Sequence, residues 1–244
     1  MDVKSTNQDS LYIWLDLLGF SKEIESDQNT ELLTRTLDSF RNIFCKMFEK
    51  TVYISDGILI EIDFPTSQWN INDIQKYFRL LAKGQMDFFL QSERIIRGGI
   101  GIGRSINKAN WENGQFLSRG MTKAYSLESK KISWPIIGID ENVIEELVTK
   151  TGSTKEAGTT LLNLTTSVNV AGETIYFIDY AKINLEYQHT HKRKLESYFN
   201  KIFKDLEFKK DKESDKIRLK YIWLYKYFKK SWGIEIPNYK EWVL

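Results

Sequence analysis

Two aspartates stand where a carboxylate could hold a cation or act on a phosphate ester. Asp16 closes the apolar run Leu11-Tyr-Ile-Trp-Leu15, and the chain then turns through Leu17-Leu-Gly-Phe-Ser21. A carboxylate at a strand end beside a glycine turn can ligate a hard cation, and the N–H groups of such a turn can hold a phosphate. Asp56 lies in Ser55-Asp-Gly57, between two β-rich runs, at the tip of an expected hairpin. Two carboxylates from neighbouring strands can clamp two Mg²⁺ ions, as two-metal phosphoryl transfer requires. The plainer alternative is that Asp16 caps a helix and Asp56 only forms a turn.

The run Arg97-Gly-Gly-Ile-Gly-Ile-Gly103 is a second unusual feature. It is not G-x-G-x-x-G, and the segment before it reads as a helix, which argues against a dinucleotide fingerprint. Alternating glycine in a strand lets a ligand or another backbone approach closely, so either a binding surface or tight helix-on-sheet packing explains it. Arg97, Arg104, Arg119 and Lys123 are the cations near these motifs, and Arg119 and Lys123, four apart, share a helix face. His189 and His191, the two histidines of the chain, are two apart on an expected helix and point to different faces, so a metal site is not expected there.

The elements that must position these groups follow from periodicity. Leu11 to Leu15 is a buried strand, and Leu33, Leu37, Phe40, Phe44 and Met47 mark a helix over 30–50. Cys45 falls in that helix as a packing residue. Strands are expected over 51–54 and 57–63, then a helix capped by Asn72 and running to about Gln91. Further elements are a glycine-rich strand over 94–104, a helix over 116–130, a strand over 134–139 and a helix over 141–150. Residues 151–160 read as a polar loop, and 173–180 as a strand after the Ala171-Gly172 turn. Two amphipathic helices follow, one marked by Leu195, Phe199, Ile202 and Phe203, the other by Ile217, Tyr221, Leu224 and Phe228, with 209–215 as a charged turn between them. The order β-α-β-β-α-β predicts an α/β sandwich of ferredoxin-like type, with a C-terminal helical appendage.

Composition bounds the setting. The chain has 244 residues, with 35 Lys and Arg against 33 Asp and Glu, a net charge of +2. That small net charge gives no strong pull toward nucleic acid; the lysine- and aromatic-rich stretch 192–230 reads as the solvated faces of amphipathic helices, and Trp223 and Trp232 as packing groups. A single cysteine excludes an internal disulfide, residues 1–10 show no signal peptide and no long apolar run is present, so a cytoplasmic protein is expected.

The ordered set of motifs resembles the class III nucleotidyl cyclases over roughly residues 11–139. Leu15-Asp-Leu-Leu-Gly-Phe-Ser21 is similar to their first metal motif, and Tyr53-Ile-Ser-Asp-Gly57 to their second. Arg97 to Gly103 resembles their R-x-G-x-x-x-G strand, and Ala124-Tyr-Ser-Leu-Glu-Ser129 the end of their A-A-R-L-E-S helix. The resemblance implies a cyclase domain over 1–180 with the appendage over 181–244. It implies two Mg²⁺ or Mn²⁺ ions on Asp16 and Asp56, with the Leu17 carbonyl assisting. It also implies triphosphate contacts from Gly19, Phe20 and Ser21, and a homodimer in which one chain supplies the metals and the other the helix contacts.

The departures shape the expected function. At the helix positions where the family carries asparagine and arginine, this chain has Thr122 and Ser126. Arg97 is taken as a replacement catalytic cation, and Thr122 and Lys123 as substrate contacts. Four residues before the second aspartate, where purine cyclases carry lysine or glutamate, stands Val52, with the bulky Tyr53 beside it. The chain resembles compact Pycsar cyclases of antiphage defence, which implies CTP or UTP as substrate and cyclic CMP or cyclic UMP as product. The rival expectation, prompted by the missing arginine, is an inactive cyclase-like module that binds a nucleotide or a protein partner. A third is a nucleic-acid-binding protein using the basic C-terminal helices.

Overall fold

The first strand, β1 (Asp9–Leu17), is apolar on both faces because both faces are covered, and it is buried along nearly its whole length. The structure is a computed structural model and describes residues 9–20, 24, 30–64, 69–104, 118–152, 154–207 and 212–236. Helix α1 (Thr30–Met47) follows, then the hairpin β2 (Thr51–Ile54) and β3 (Gly57–Asp63), helix α2 (Ile71–Ser92) and β4 (Ile96–Arg104). These strands lie in the order β2-β3-β1-β4, all antiparallel, with α1 packed on α2. This is the ferredoxin-like βαββαβ arrangement expected from the sequence. The two helices come close because Gly84 has no side chain; a Cβ there would lie 2.8 Å from the Phe44 ring.

Helix α3 (Arg119–Lys130) covers the other face of β4 and β1. The sheet then extends through β5 (Ile137–Asp140), helices α4 (Glu141–Lys150) and α5 (Thr154–Leu164), and the hairpin β6 (Thr165–Val170) and β7 (Glu173–Ile178). Its full order is β2-β3-β1-β4-β5-β7-β6, and of the described pairings β4–β5 alone is parallel. The fold is thus mixed α/β.

Several elements differ from their sequence-based expectations. The polar stretch read as a loop holds α5, whose Ala157, Leu161 and Leu164 are buried at helical spacing among threonines. Strand β6 was not anticipated, because its alternation is carried by small polar residues. Asn70, not Asn72, caps α2; its side chain accepts from the Asn72 N–H at 2.9 Å. Part of the expected charged turn over 209–215 is helical, since the last helix already begins at Lys212. Cys45 is exposed rather than packed in the core; its Sγ meets the Tyr53 hydroxyl.

The chain forms two compact units, Met1–Tyr180 and Ala181–Leu244. The second contains α7 (Gln188–Glu207) and α8 (Lys212–Trp232), preceded by the short helix α6 (Tyr180–Ile183) and a 3₁₀ turn at Leu185–Tyr187. Phe199 is its centre, with Phe203, Tyr225 and Phe228 around it at ring distances of 6.2, 5.7 and 6.3 Å. Trp232 is fully buried, and its indole N–H donates to the Ala181 carbonyl at 2.8 Å. Among the described residues no helix is long and apolar enough to cross a membrane.

The glycine run of β4 serves α3. A Cβ on Gly99 would sit 2.2 Å from the Ala124 carbonyl oxygen, and one on Gly101 2.3 Å from that of Gly120. Gly101→Ala should therefore lower stability by about 1–3 kcal/mol in urea unfolding, because backbone must move to admit it. Gly158→Ala, whose Cβ would meet nothing nearer than 3.9 Å inside α5, should raise stability by roughly 0.5–1 kcal/mol. Equal effects from the two substitutions would contradict the packing account.

Candidate active site

Antiparallel register brings the two aspartates to one end of the sheet. Asp16 on β1 lies opposite Gly57 on β3 and opposite Arg97 on β4. Asp56 immediately precedes Gly57 in the two-residue turn between β2 and β3, where Ser55 takes a left-handed φ of 56°. The Leu17 N–H donates to the Asp56 carbonyl at 3.4 Å, tying the end of β1 to the hairpin tip. Gly57 must be glycine here: a Cβ would lie 2.6 Å from the Trp14 ring.

Strand alternation puts Arg97 on the same face as Gly99, Gly101 and Gly103, beneath α3. Its Nε–H donates to Asp16 Oδ2 at 3.1 Å, and its Nη1 donates to the Ile132 carbonyl at 3.4 Å. The same Nε lies 2.5 Å from Glu128 Oε1, so one guanidinium nitrogen is shared between the two carboxylates. Glu128, on the last turns of α3, is only 2% exposed. Burial raises its carboxyl to about 7; the Asp16 and Asp56 carboxylates push the same way, while Arg97 opposes them. Three carboxylates thus share one field with the Arg97 guanidinium among them.

The other expected residues are dispersed. Leu17 is buried, as is Phe20, and Gly19 turns the chain after β1 with a φ of 83°. Ser21 lies outside the described residues. Tyr53 does not join the aspartates. Alternation turns it to the opposite face, where its hydroxyl meets Cys45 and Arg41 lies 5.2 Å above its ring. Val52, paired with Leu59, is on the face of Trp14 and α3. Thr122 donates to the Ser118 carbonyl at 3.0 Å, and Lys123 pairs with Glu146 at 3.3 Å. Both line a cavity of about 350 Å³ beside Ser126, Asp140 and Asn142, which does not include Asp16 or Asp56.

Glu128 falls within the Ala124–Ser129 stretch, and the resemblance assigns it no role. The available signal was an acidic residue among the inward positions Gly120, Ala124 and Leu127, which demands a buried partner. Among the described residues no group of three or more His, Cys, Asp or Glu is placed to hold a metal ion. Asp16 and Asp56 offer two hard oxygen ligands, which suits Mg²⁺, an ion that keeps waters and takes substrate phosphates as further ligands.

No protein-family model matches the chain, and no curated protein matches it. Among solved structures, it is similar to the adenylyl cyclase CyaB from P. aeruginosa, at 16% identity and a TM-score of 0.46, over 70% of this chain and 93% of that one. It is also similar to a bacterial light-regulated adenylyl cyclase, at 10% identity and a TM-score of 0.44, over 71% and 91% of the two chains. A class III adenylyl cyclase-like ATP-binding protein from Pseudomonas aeruginosa matches at 14% identity and a TM-score of 0.37, over 63% and 40%. At such similarity none of these bears on what the chain does.

The raised Glu128 carboxyl has a consequence for stability. An unfolded glutamate releases its proton near 4.5, whereas folded Glu128 holds it to about 7. The native state binds more protons within that window, so this group's contribution to stability is lost as pH rises through it. Glu128→Gln should flatten the fall, by up to about 3 kcal/mol between the two limits. Urea unfolding at a series of pH values checks this, and an unchanged slope would contradict it.

Proposed function

We propose that the chain is a metal-dependent nucleotidyl cyclase acting on a pyrimidine nucleoside triphosphate. The observation that carries the proposal is the meeting of Asp16 and Asp56 at adjacent strand ends, beside a glycine turn and within a ferredoxin-like core. In the reaction, the ribose 3′-hydroxyl gives its proton to water and its oxygen attacks the α-phosphorus; the new P–O bond forms as the bond to the departing pyrophosphate breaks. Asp16 and Asp56, with the Leu17 carbonyl assisting, would hold Mg²⁺ or Mn²⁺, which would supply charge neutralisation on the phosphates and activation of the hydroxyl. The N–H groups of Gly19 and Phe20, with Ser21, receive the triphosphate. Arg97 contributes positive charge beside Asp16.

Thr122 and Lys123 take part through a second copy. Within one chain they line a separate cavity from the aspartates, so a homodimer would bring them to the partner's site. Pyrimidine preference is supported by Val52. It faces the Trp14 side and carries no group to read a purine edge, and a site without such polar contacts has lost the purine's main selecting lever. Tyr53 is withdrawn from that role by its orientation. The product would serve as a second messenger in antiphage defence. The second reading, a catalytically inactive nucleotide-binding module, is favoured by one observation: Arg97 is already engaged by Asp16 and Glu128, and neither Thr122 nor Ser126 is a cation.

Incubation with each of the four triphosphates and Mn²⁺ or Mg²⁺, with products identified by mass spectrometry, tests both readings. Cyclic CMP or cyclic UMP should dominate. Asp16→Ala and Asp56→Ala should each lower turnover by at least about 10³-fold while retaining the melting transition. Preference for cyclic AMP or cyclic GMP defeats the pyrimidine assignment. Activity surviving in either aspartate variant defeats the two-carboxylate mechanism, and no cyclic product at all favours the binding module.

A further inference from the structure

Resting on the reading of Asp16 and Asp56 as cation ligands, we infer that Glu128 is a positioning residue that draws the Arg97 guanidinium off Asp16 and so sets the affinity of the site for its divalent cation. A cation and the Arg97 Nε–H compete for the same carboxylate, because Arg97 hydrogen-bonds Asp16 Oδ2 at 3.1 Å. For the cation to win, the guanidinium must keep an anionic partner; losing one would leave a partly buried charge uncompensated. Glu128, in its carboxylate form, is that partner. Its Oε1 already lies 2.5 Å from Arg97 Nε, and its side chain is buried. A small rotation of the guanidinium toward α3 would commit it to Glu128 and release Asp16 Oδ2.

The backbone holds this arrangement in register. Glu128 is one turn beyond Ala124, whose carbonyl oxygen rests on Gly99, two residues along β4 from Arg97. Arg97 also donates to the Ile132 carbonyl just past α3, which anchors the guanidinium on the helix side whichever carboxylate it serves.

The inference predicts a coupling that runs through Arg97. Mn²⁺ binding without nucleotide, followed by electron paramagnetic resonance of the free ion, is measured for the wild type, Glu128→Gln, Arg97→Gln and the double variant, each checked by its melting transition. Glu128→Gln should weaken Mn²⁺ binding about tenfold, because Arg97 then stays on Asp16. Arg97→Gln should tighten it, and adding Glu128→Gln to Arg97→Gln should change affinity less than about twofold. Equal weakening by Glu128→Gln in both backgrounds would overturn the inference, since Glu128 would then act through space on the cation. If the double variant does not fold, Glu128→Asp decides. That change keeps the charge but withdraws it from Arg97, so it should weaken binding toward the Glu128→Gln value, and wild-type affinity would overturn the inference. Mn²⁺ binding that needs Asp16 and Asp56 but ignores Glu128 overturns the inference alone. Absence of Mn²⁺ binding by the wild type overturns it together with the reading on which it rests.

Discussion

The seating of α3 directly on the backbone of β4 governs the rest of the site. Gly99, Gly101 and Gly103 present no side chains to the helix, and Gly120 on the helix returns the favour, since a Cβ there would strike the Tyr12 ring at 2.3 Å. Peptide groups therefore meet peptide groups, as only glycine allows. Because the helix lies so low, Glu128 on its last turns is pressed beneath the surface beside Arg97 instead of reaching water. A helix raised by even one methyl layer would leave Arg97 and Asp16 as an ordinary rim pair, worth little in solvent.

Burial then converts a sequence of charges into a device. Isolated carboxylates in such a place would neutralise themselves, and Glu128 moves part of the way in that direction. Asp16 and Asp56 sit at the mouth of the same cluster, at strand ends joined by the Leu17 to Asp56 backbone bond. The cluster holds a negative field that Arg97 compensates incompletely. The hairpin tip, the glycine turn after β1 and the last turns of α3 converge here because β1 is flanked antiparallel by both β3 and β4.

Much of the core was legible in the sequence. The hairpin over 51–63 was readable because Ser-Asp-Gly separates two β-rich runs, and the βαββαβ order followed from clear changes of period. Asp16 and Asp56 could be singled out because each closes or opens a strand. What stayed hidden depended on tertiary contact. Residues 154–170 hold α5 and β6, but threonine, glycine and serine dilute both periods until neighbours supply the missing burial. Tyr53 looked attractive by proximity to Asp56, while alternation along β2 sends it to Cys45 on α1. Glu128 was invisible as a functional group because its significance comes from a helix depth set by glycines some 25 residues earlier in the chain.

The central claim is that Asp16 and Asp56 jointly hold the cation that meets a triphosphate. Crystals of the protein grown with Mn²⁺ and a non-cyclisable 3′-deoxy-CTP test it most directly, through anomalous scattering at the manganese edge. The account predicts anomalous density bridging the Asp16 and Asp56 carboxylates, with phosphate oxygens beside the turn at Gly19 and Phe20. Triphosphate bound elsewhere, or manganese density away from both aspartates, would contradict it.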